Sequence, residues 1–382
     1  MMMDRKMSSA IASPWRKGLK MILILLGFFM LCGLILVGFL VARSPGNPVS
    51  FRDEKGALLE NSISEKVFIP INGIQQGMFI KSKNADNPVL LYLHGGLPDY
   101  FLSANYPTGL EEYFTVVWWE QRGSGLSYDP ELSQESINTE QLIADTLEVS
   151  HYLRQRFQTE KIYLMGHSGG TFIGIQAAER APTLYHAYIG IAQMSYQHES
   201  ERLAYEYMLR QFKENGNTSM VRKMEAAPVT LTGDLPDGYL AIRDPAMHSL
   251  GVGTIHEMNS ILTGIFLPSL TFREYTLKEK INLWRGKSQS GISAMWNDMI
   301  KVDLSQTVTD LEIPVYFFSG VYDYTVSYDL AKTYFKQVNA PVKGFYTFSQ
   351  SAHSPIFEEP KKMIQIMLQD VLTGTNGLAD SQ

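Results

Sequence analysis

Ile162-Tyr-Leu-Met-Gly166-His-Ser168-Gly-Gly170-Thr-Phe-Ile-Gly-Ile-Gln-Ala-Ala-Glu-Arg-Ala181 runs from a compact apolar stretch, through a serine flanked by glycines, into a segment rich in helix formers. The pattern predicts a buried strand, a sharp turn and a helix, the setting in which a G-x-S-x-G elbow has chemical meaning. Glycines suit this turn because its backbone is strained and the residues around the serine approach one another closely. Such a turn exposes the Ser168 hydroxyl at the C-terminal end of the strand. The N-terminus of the following helix then favours negative charge developing beside it.

Working outward, residues 89–93 (VLLYL), 114–118 (FTVVW), 187–191, 314–319 (PVYFFS) and 344–348 (GFYTF) are short apolar runs suited to buried parallel strands. Residues 66–81 (KVFIPINGIQQGMFIK) read as a hairpin around Asn72-Gly73. Residues 138–157 have helical spacing, with Leu142, Leu147, Val149, Leu153 and Phe157 available for one face. The strand pattern stops near Gln193 and resumes at Pro314; the Met-, Glu- and Arg-rich stretch up to about 302 looks helical. A helix-rich insertion between strands of a parallel sheet reads as a lid over the active-site edge. The expected organisation is a basic tail (1–20), an apolar helix (21–42), a linker (43–64), a core in two parts (65–193 and 303–375) and the lid between them (194–302). The chain holds no evident internal repeat or low-complexity tract.

A serine hydroxyl needs a base, and the base needs an orienting acid. On this architecture the acid and then the histidine follow the serine along the chain. Asp323 comes just past the 314–319 strand, and His353 just past the 344–348 strand, so both fall on the same sheet edge as Ser168. Of the other histidines, His151, His186, His198, His248 and His256 fall in helical or lid stretches, and His94 and His167 belong to glycine motifs. Acyl transfer builds charge on a carbonyl oxygen, which backbone N–H groups must meet. Gly169 is the expected first donor. His94-Gly-Gly-Leu-Pro98 follows the 89–93 strand and offers the second from Gly96 or Leu97, since Pro98 has no N–H. Arg122, in the loop after the 114–118 strand, either binds a substrate carboxylate or pairs internally to brace that loop.

Residues 21–42 form an uncharged stretch of 22 residues. As a helix it would be about 33 Å long, enough for a bilayer core of roughly 30 Å. A cleaved signal peptide is the alternative, but the apolar run is long for one, and Leu40 and Ala42 make a poor cleavage site. Arg5, Lys6, Arg16, Lys17 and Lys20 precede the span and favour a cytoplasmic N-terminus, with the enzyme outside the cell membrane. The net charge of −6 divides into about +5 for residues 1–43 and about −11 beyond them. An acidic body without a basic block argues against nucleic acid as a partner. The single cysteine, Cys32, permits neither an intramolecular disulfide nor a cysteine metal site, and no metal or cofactor is expected.

Together, VLLYLHGG, VVWWEQRGSGLS, YLMGHSGG, FFSGVYDYTV and SAHSP resemble the prolyl iminopeptidase (prolyl aminopeptidase)-like branch of the α/β hydrolases, over about 73–193 and 312–368. The resemblance implies an α/β-hydrolase fold: a mostly parallel, doubly wound sheet with a helical lid insertion, here with one N-terminal transmembrane helix. It implies the triad roles for Ser168, Asp323 and His353, and an oxyanion role for the loop at 95–97. The chain departs from the family pattern at Leu97-Pro98, Glu120, His167 and Gly169. Prolyl iminopeptidases also hold the substrate's free amine with lid glutamates. Glu199, Glu201 and Glu206 are the candidates here, or else they form an ordinary solvated helix face. The expected function is a serine hydrolase acting on a short peptide or other small molecule. It would be either aminopeptidase-like or an esterase or amidase for small apolar substrates. A hydrolase-fold binding protein without catalysis is the alternative class. The sequence does not specify an oligomeric state.

Overall fold

Asn72 and Gly73 both take left-handed backbone angles, with φ of 44° and 84°. These join β1 (Ile63–Ile71) to β2 (Ile74–Ser82) in a tight antiparallel hairpin. The structure is a computed structural model that describes residues 14–289 and 291–381. Arg5 and Lys6 of the expected basic tail lie outside the described residues.

The hairpin forms one end of an eight-stranded sheet of order β1-β2-β4-β3-β5-β6-β7-β8. β2 runs antiparallel to β4 (Thr115–Glu120). From there, β3 (Val89–Leu93), β5 (Ile162–His167), β6 (Tyr185–Ile191), β7 (Val315–Gly320) and β8 (Lys343–Phe348) are all parallel. The chain moves outward from β3 to β4 and then returns to lay β5 on the other side of β3. Strand order therefore reverses between β3 and β5, where sheets of this kind open a crevice beyond their C-terminal ends. The 94–98 and 166–170 loops both begin there.

Alternate residues of each strand feed two apolar layers. Trp119 joins the layer that also holds Leu142, Val149 and Leu153 of the helix α2 (Thr139–Phe157), whereas its neighbour Trp118 joins the opposite one. Asn138 caps α2 by accepting the Gln141 N–H at 2.9 Å. α3 (Gly169–Arg180) follows the serine. Between β6 and β7 the described chain is helical: α4 (Gln197–Glu214), α5 (Thr218–Glu225), α6 (Asp237–Ser249), α7 (Leu267–Thr271, preceded by a wide turn over Leu262–Phe266) and α8 (Leu277–Gln289). α4, α5 and α6 bury a small core of their own around Met208, Phe212, Met224, Tyr239 and Met247.

The N-terminal helix α1 spans Pro14–Ala42. Its Met21–Ala42 portion has a mean hydropathy of 2.9 with none of its most apolar window buried, so it is long and apolar enough to cross a membrane. The chain beyond it is taken up at once by the body. The buried ammonium of Lys280, in α8, donates to the Arg43 carbonyl at 2.8 Å, the Ser44 hydroxyl at 2.8 Å and the Leu270 carbonyl at 2.7 Å. Pro45 bridges to Thr276, and the Gly46 N–H donates to the Arg273 carbonyl.

Arg122 does its work internally. Its guanidinium donates to both oxygens of the fully buried Asp145, at 2.7 and 2.9 Å. Asp145 also accepts from Asn72, Gln76 and Gln141. The pair thus fastens the hairpin, the loop after β4 and α2 together. Removing one partner strands the other charge in the interior, so Asp145→Ala should lose about 3–5 kcal/mol of stability. The fall in thermal unfolding midpoint measures this, and an unchanged midpoint would contradict the bracing role.

Candidate active site

Ser168 stands between β5 and α3 with φ 56° and ψ −126°, a backbone that residues with a side chain seldom adopt. The turn is held on both sides. Its N–H donates to the Ile191 carbonyl at 3.0 Å, and its carbonyl accepts the Thr171 hydroxyl at 2.6 Å. A Cβ at Gly166 would lie 2.7 Å from the Gly170 carbonyl oxygen, and one at Gly170 would lie 2.2 Å from that of Leu93. Only glycines allow α3 to leave the sheet so tightly.

Asp323 lies in the loop after β7. Its Oδ1 accepts the Thr325 and Val326 N–H groups, both at 2.9 Å, which turns Oδ2 toward His353 Nδ1, also at 2.9 Å. His353 lies in the loop after β8, where Glu358 Oε1 accepts the N–H groups on either side of it, Ala352 at 3.0 Å and Ser354 at 3.1 Å. Burial pushes the His353 pKa down; the Asp323 charge and hydrogen bond oppose this without cancelling it. The imidazole is therefore neutral and its Nδ1–H points at the carboxylate, leaving Nε2 as the basic nitrogen.

Ser168, His353, Gly95, Gly96, Leu97 and Gly169 all line one cavity of about 430 Å³. The helical insertion roofs it. A Cβ at Gly169 would meet Ile292 at 3.3 Å, and Ser293 donates to the Gly96 carbonyl at 3.1 Å. Gly95 is the closest neighbour the loop offers the serine: a Cβ there would lie 2.8 Å from Ser168 Cβ and 3.1 Å from its Oγ.

A second pair stands behind the histidine. His167 Nδ1 faces Asp99 Oδ2 at 3.0 Å and its Nε2 faces the His353 carbonyl at 2.9 Å. Both partners are acceptors, so the ring must donate twice and carry a positive charge. Burial lowers the His167 pKa, but the Asp99 hydrogen bond and charge outweigh it and the net shift is upward. Tyr92 donates to the same Asp99 oxygen at 2.7 Å, while Asp99 Oδ1 is buried with no partner among the described residues. Sequence reasoning missed Asp99, because nothing but the folded contact links it to His167, 68 residues away.

Glu199, Glu201 and Glu206 do not line the cavity. Glu199 and Glu206 both pair with Arg202 along α4. Glu201 is fully buried, but Arg243 takes both its oxygens, at 2.6 and 2.7 Å, and Tyr239 and Gln197 donate to it as well. The carboxylates on the cavity wall are Asp99 and Asp244, the latter facing Arg243 at 2.7 Å. Glu120, one of the departures from the family pattern, accepts the Leu126 N–H at 2.5 Å and the Tyr275 hydroxyl, linking β4 to the insertion; burial pushes its pKa up to about 8. Among the described residues no group of three or more His, Cys, Asp or Glu converges as a metal site would require.

A protein of Bacillus subtilis (strain 168) described as probable aminopeptidase YbaC is 30% identical over 303 residues, covering 79% of this chain and 94% of that one. The chain belongs to the aminopeptidase-like α/β hydrolases. The family description "Serine aminopeptidase, S33" matches residues 110–249. Proline iminopeptidase from Mycobacterium smegmatis has the same fold, with a TM-score of 0.57 at 12% identity over 81% of this chain and 98% of that one. A proline iminopeptidase-related protein from Thermus thermophilus gives a TM-score of 0.51 at 18% identity over the same shares of the two chains. Hydrolases of this fold share the scaffold and differ in the site. Gly95→Ala tests this one, because its methyl group must displace the Ser168 side chain. A displacement of about 1 Å should slow fluorophosphonate labelling roughly a hundredfold in a protein that still folds. Wild-type labelling would show that Gly95 does not confine the serine.

Proposed function

We propose that the protein is a membrane-anchored serine hydrolase in which Ser168 is the nucleophile, His353 the general base and Asp323 its orienting acid. The observation that carries this reading is the 2.9 Å contact between Asp323 and His353 Nδ1, made by two separate loops over the cavity onto which Ser168 opens. His353 Nε2 takes the Ser168 proton as Oγ bonds to the substrate carbonyl carbon. The carbonyl oxygen becomes an oxyanion, met by the N–H groups of Gly169 and of Gly96 or Leu97. Collapse expels the leaving amine or alcohol, protonated by His353, and leaves an acyl-serine. Water activated by the same histidine then releases the acid and restores the hydroxyl. α1 supplies the anchor, with the N-terminus on the cytoplasmic side and the catalytic body outside; residues 194–302 act as the lid.

Ser168→Ala should abolish labelling by a fluorophosphonate probe. The rate should fall as pH drops through the His353 pKa, because only neutral imidazole accepts the serine proton. Since burial lowers that pKa, the acid limb should lie below the ordinary histidine value of about 6.5. A midpoint above that value, or full activity in His353→Ala, would rule out the assignment.

The family supports an aminopeptidase-like substrate with a free amine. On this cavity wall the groups able to receive an ammonium are the carboxylates of Asp99 and Asp244. An esterase or amidase for small apolar substrates is the second reading, favoured by the occupation of Glu201 by Arg243. Comparing an aminoacyl anilide with its N-acetylated twin separates the two. A charge-assisted contact of about 1.5–3 kcal/mol should make acetylation cost roughly ten- to a hundredfold in rate. Asp99→Asn or Asp244→Asn should erase that difference. If acetylation leaves the wild-type rate unchanged, the aminopeptidase reading fails.

A further inference from the structure

Leu262–Thr271 is an apolar helical segment with Leu262 58% and Leu267 46% exposed to water. Hydrophobic side chains left bare on a lid need a reason, and the neighbouring contacts supply one. The Lys280 ammonium holds the Leu270 carbonyl and the Arg43 carbonyl at once, so the end of this segment lies within about 5.5 Å of the end of α1. Ten helical residues extend about 15 Å, so neither leucine can be far from the point where α1 would leave a bilayer. Ile281, next to Lys280, and Val49, just beyond α1, are also exposed, at 51% and 58%.

The exposed charges flanking this patch are mainly positive, Glu257, five residues before Leu262, being an exposed acid among them. Arg43, Arg273 and Lys278 are exposed. The acids just beyond the segment's C-terminal end are occupied: Glu274 pairs with Lys81 at 3.0 Å and Glu279 with Lys66 at 2.8 Å. An apolar patch rimmed mainly by cations beside an apolar, membrane-length helix matches an anionic lipid surface.

The same segment walls two cavities. Ile265, with Ile261 just before the segment, faces the cavity that holds Ser168. Pro268 and Thr271 face a second one of about 520 Å³, whose other walls include Arg43, Val49 and Phe51 from the chain just beyond α1. Phe101 belongs to both linings.

We propose that Leu262–Thr271 lies on the anionic bilayer surface beside α1, so that the site receives apolar, membrane-partitioned substrates by way of the second cavity. This rests on the anchoring role of α1 and on the hydrolase reading above, and it adds the source of the substrate and its chemical class. Displacing the segment from the lipid should impair use of bilayer-borne substrate without altering chemistry on a soluble one.

The test uses the full chain in phosphatidylcholine vesicles containing phosphatidylglycerol. In a Cys32→Ser background, nitroxide labels are placed through Leu262→Cys, Leu267→Cys and, as a control on another exposed part of the insertion, Leu231→Cys. Labels at 262 and 267 should collide with dissolved oxygen in preference to a water-soluble nickel chelate, and the label at 231 should do the reverse. If 262 and 267 behave like 231 while a label on native Cys32 reports lipid, the membrane-lying segment is refuted and the anchor stands. If Cys32 also reports water, or the protein fails to float with the vesicles, the anchor reading falls and this proposal falls with it. Fluorophosphonate labelling of Ser168 in the same samples scores the hydrolase reading separately. In a second measurement, Leu262→Asp with Leu267→Asp should raise KM for a long-chain ester in the vesicles about tenfold, the order of one exposed leucine's transfer energy. KM for a short soluble ester should not change. Equal KM values for the vesicle-borne ester in variant and wild type would overturn the proposal.

Discussion

The site depends on a single strained residue. Ser168 keeps φ at 56° and ψ at −126°, a conformation whose cost is on the order of 1–3 kcal/mol and which persists only where the surroundings over-determine it. The Ile191 carbonyl holds it from β6, Thr171 from the first turn of α3, and the absent side chains of Gly166 and Gly170 let α3 turn back onto the sheet. Thr171 also accepts the Met194 N–H at 2.9 Å, so the departure of the chain toward the insertion is tied to the same turn. Because β5 lies at the sheet's reversal point, the strain is placed where the 94–98 loop can reach the hydroxyl. Moving the serine one strand away would lose that loop.

Around this turn the protein arranges two histidines with opposite demands. His167 faces two acceptors and is held positive by Asp99; His353 faces one acid and is kept neutral by burial. The positive ring, whose centroid is 5.0 Å from the other, adds to the lowering of the His353 pKa. One ring thus supports its neighbour's backbone while helping to keep that neighbour neutral. This arrangement also gives a physical role to His167, one of the positions where the chain departs from the family pattern at its elbow.

Much of this was legible in the residues, and the exceptions have a common cause. The run VLLYL coincides with β3 residue for residue, and Asn72-Gly73 makes the hairpin turn its composition demands. The strands at 187–191 and 344–348 begin one or two residues earlier than their apolar runs suggest, because the ladder reaches Tyr185 across a register shift at His186, and reaches Lys343, whose ammonium does not prevent pairing. The loops carrying Asp323 and His353 could be found because each directly follows a strand. Glu201 could not be read in the same way. Its spacing on α4 does not reveal that Arg243, 42 residues away, covers it. Asp99 with His167 and Lys280 with Arg43 are likewise contacts between distant segments, to which no local pattern corresponds.

The hold of Lys280 on the residues just past α1 has a mechanical consequence. Between Ala42 and the first contact with the body there is no slack, since Arg43, Ser44, Pro45 and Gly46 are each bonded to the segment 270–280. A helix seated in a bilayer tilts when its apolar length and the lipid thickness differ. With a flexible tether that tilt would be dissipated in the linker. With α1 as the proposed anchor, the tilt would instead rotate the roof of the cavity with it, and bilayer thickness would become a physical input to the geometry over Ser168.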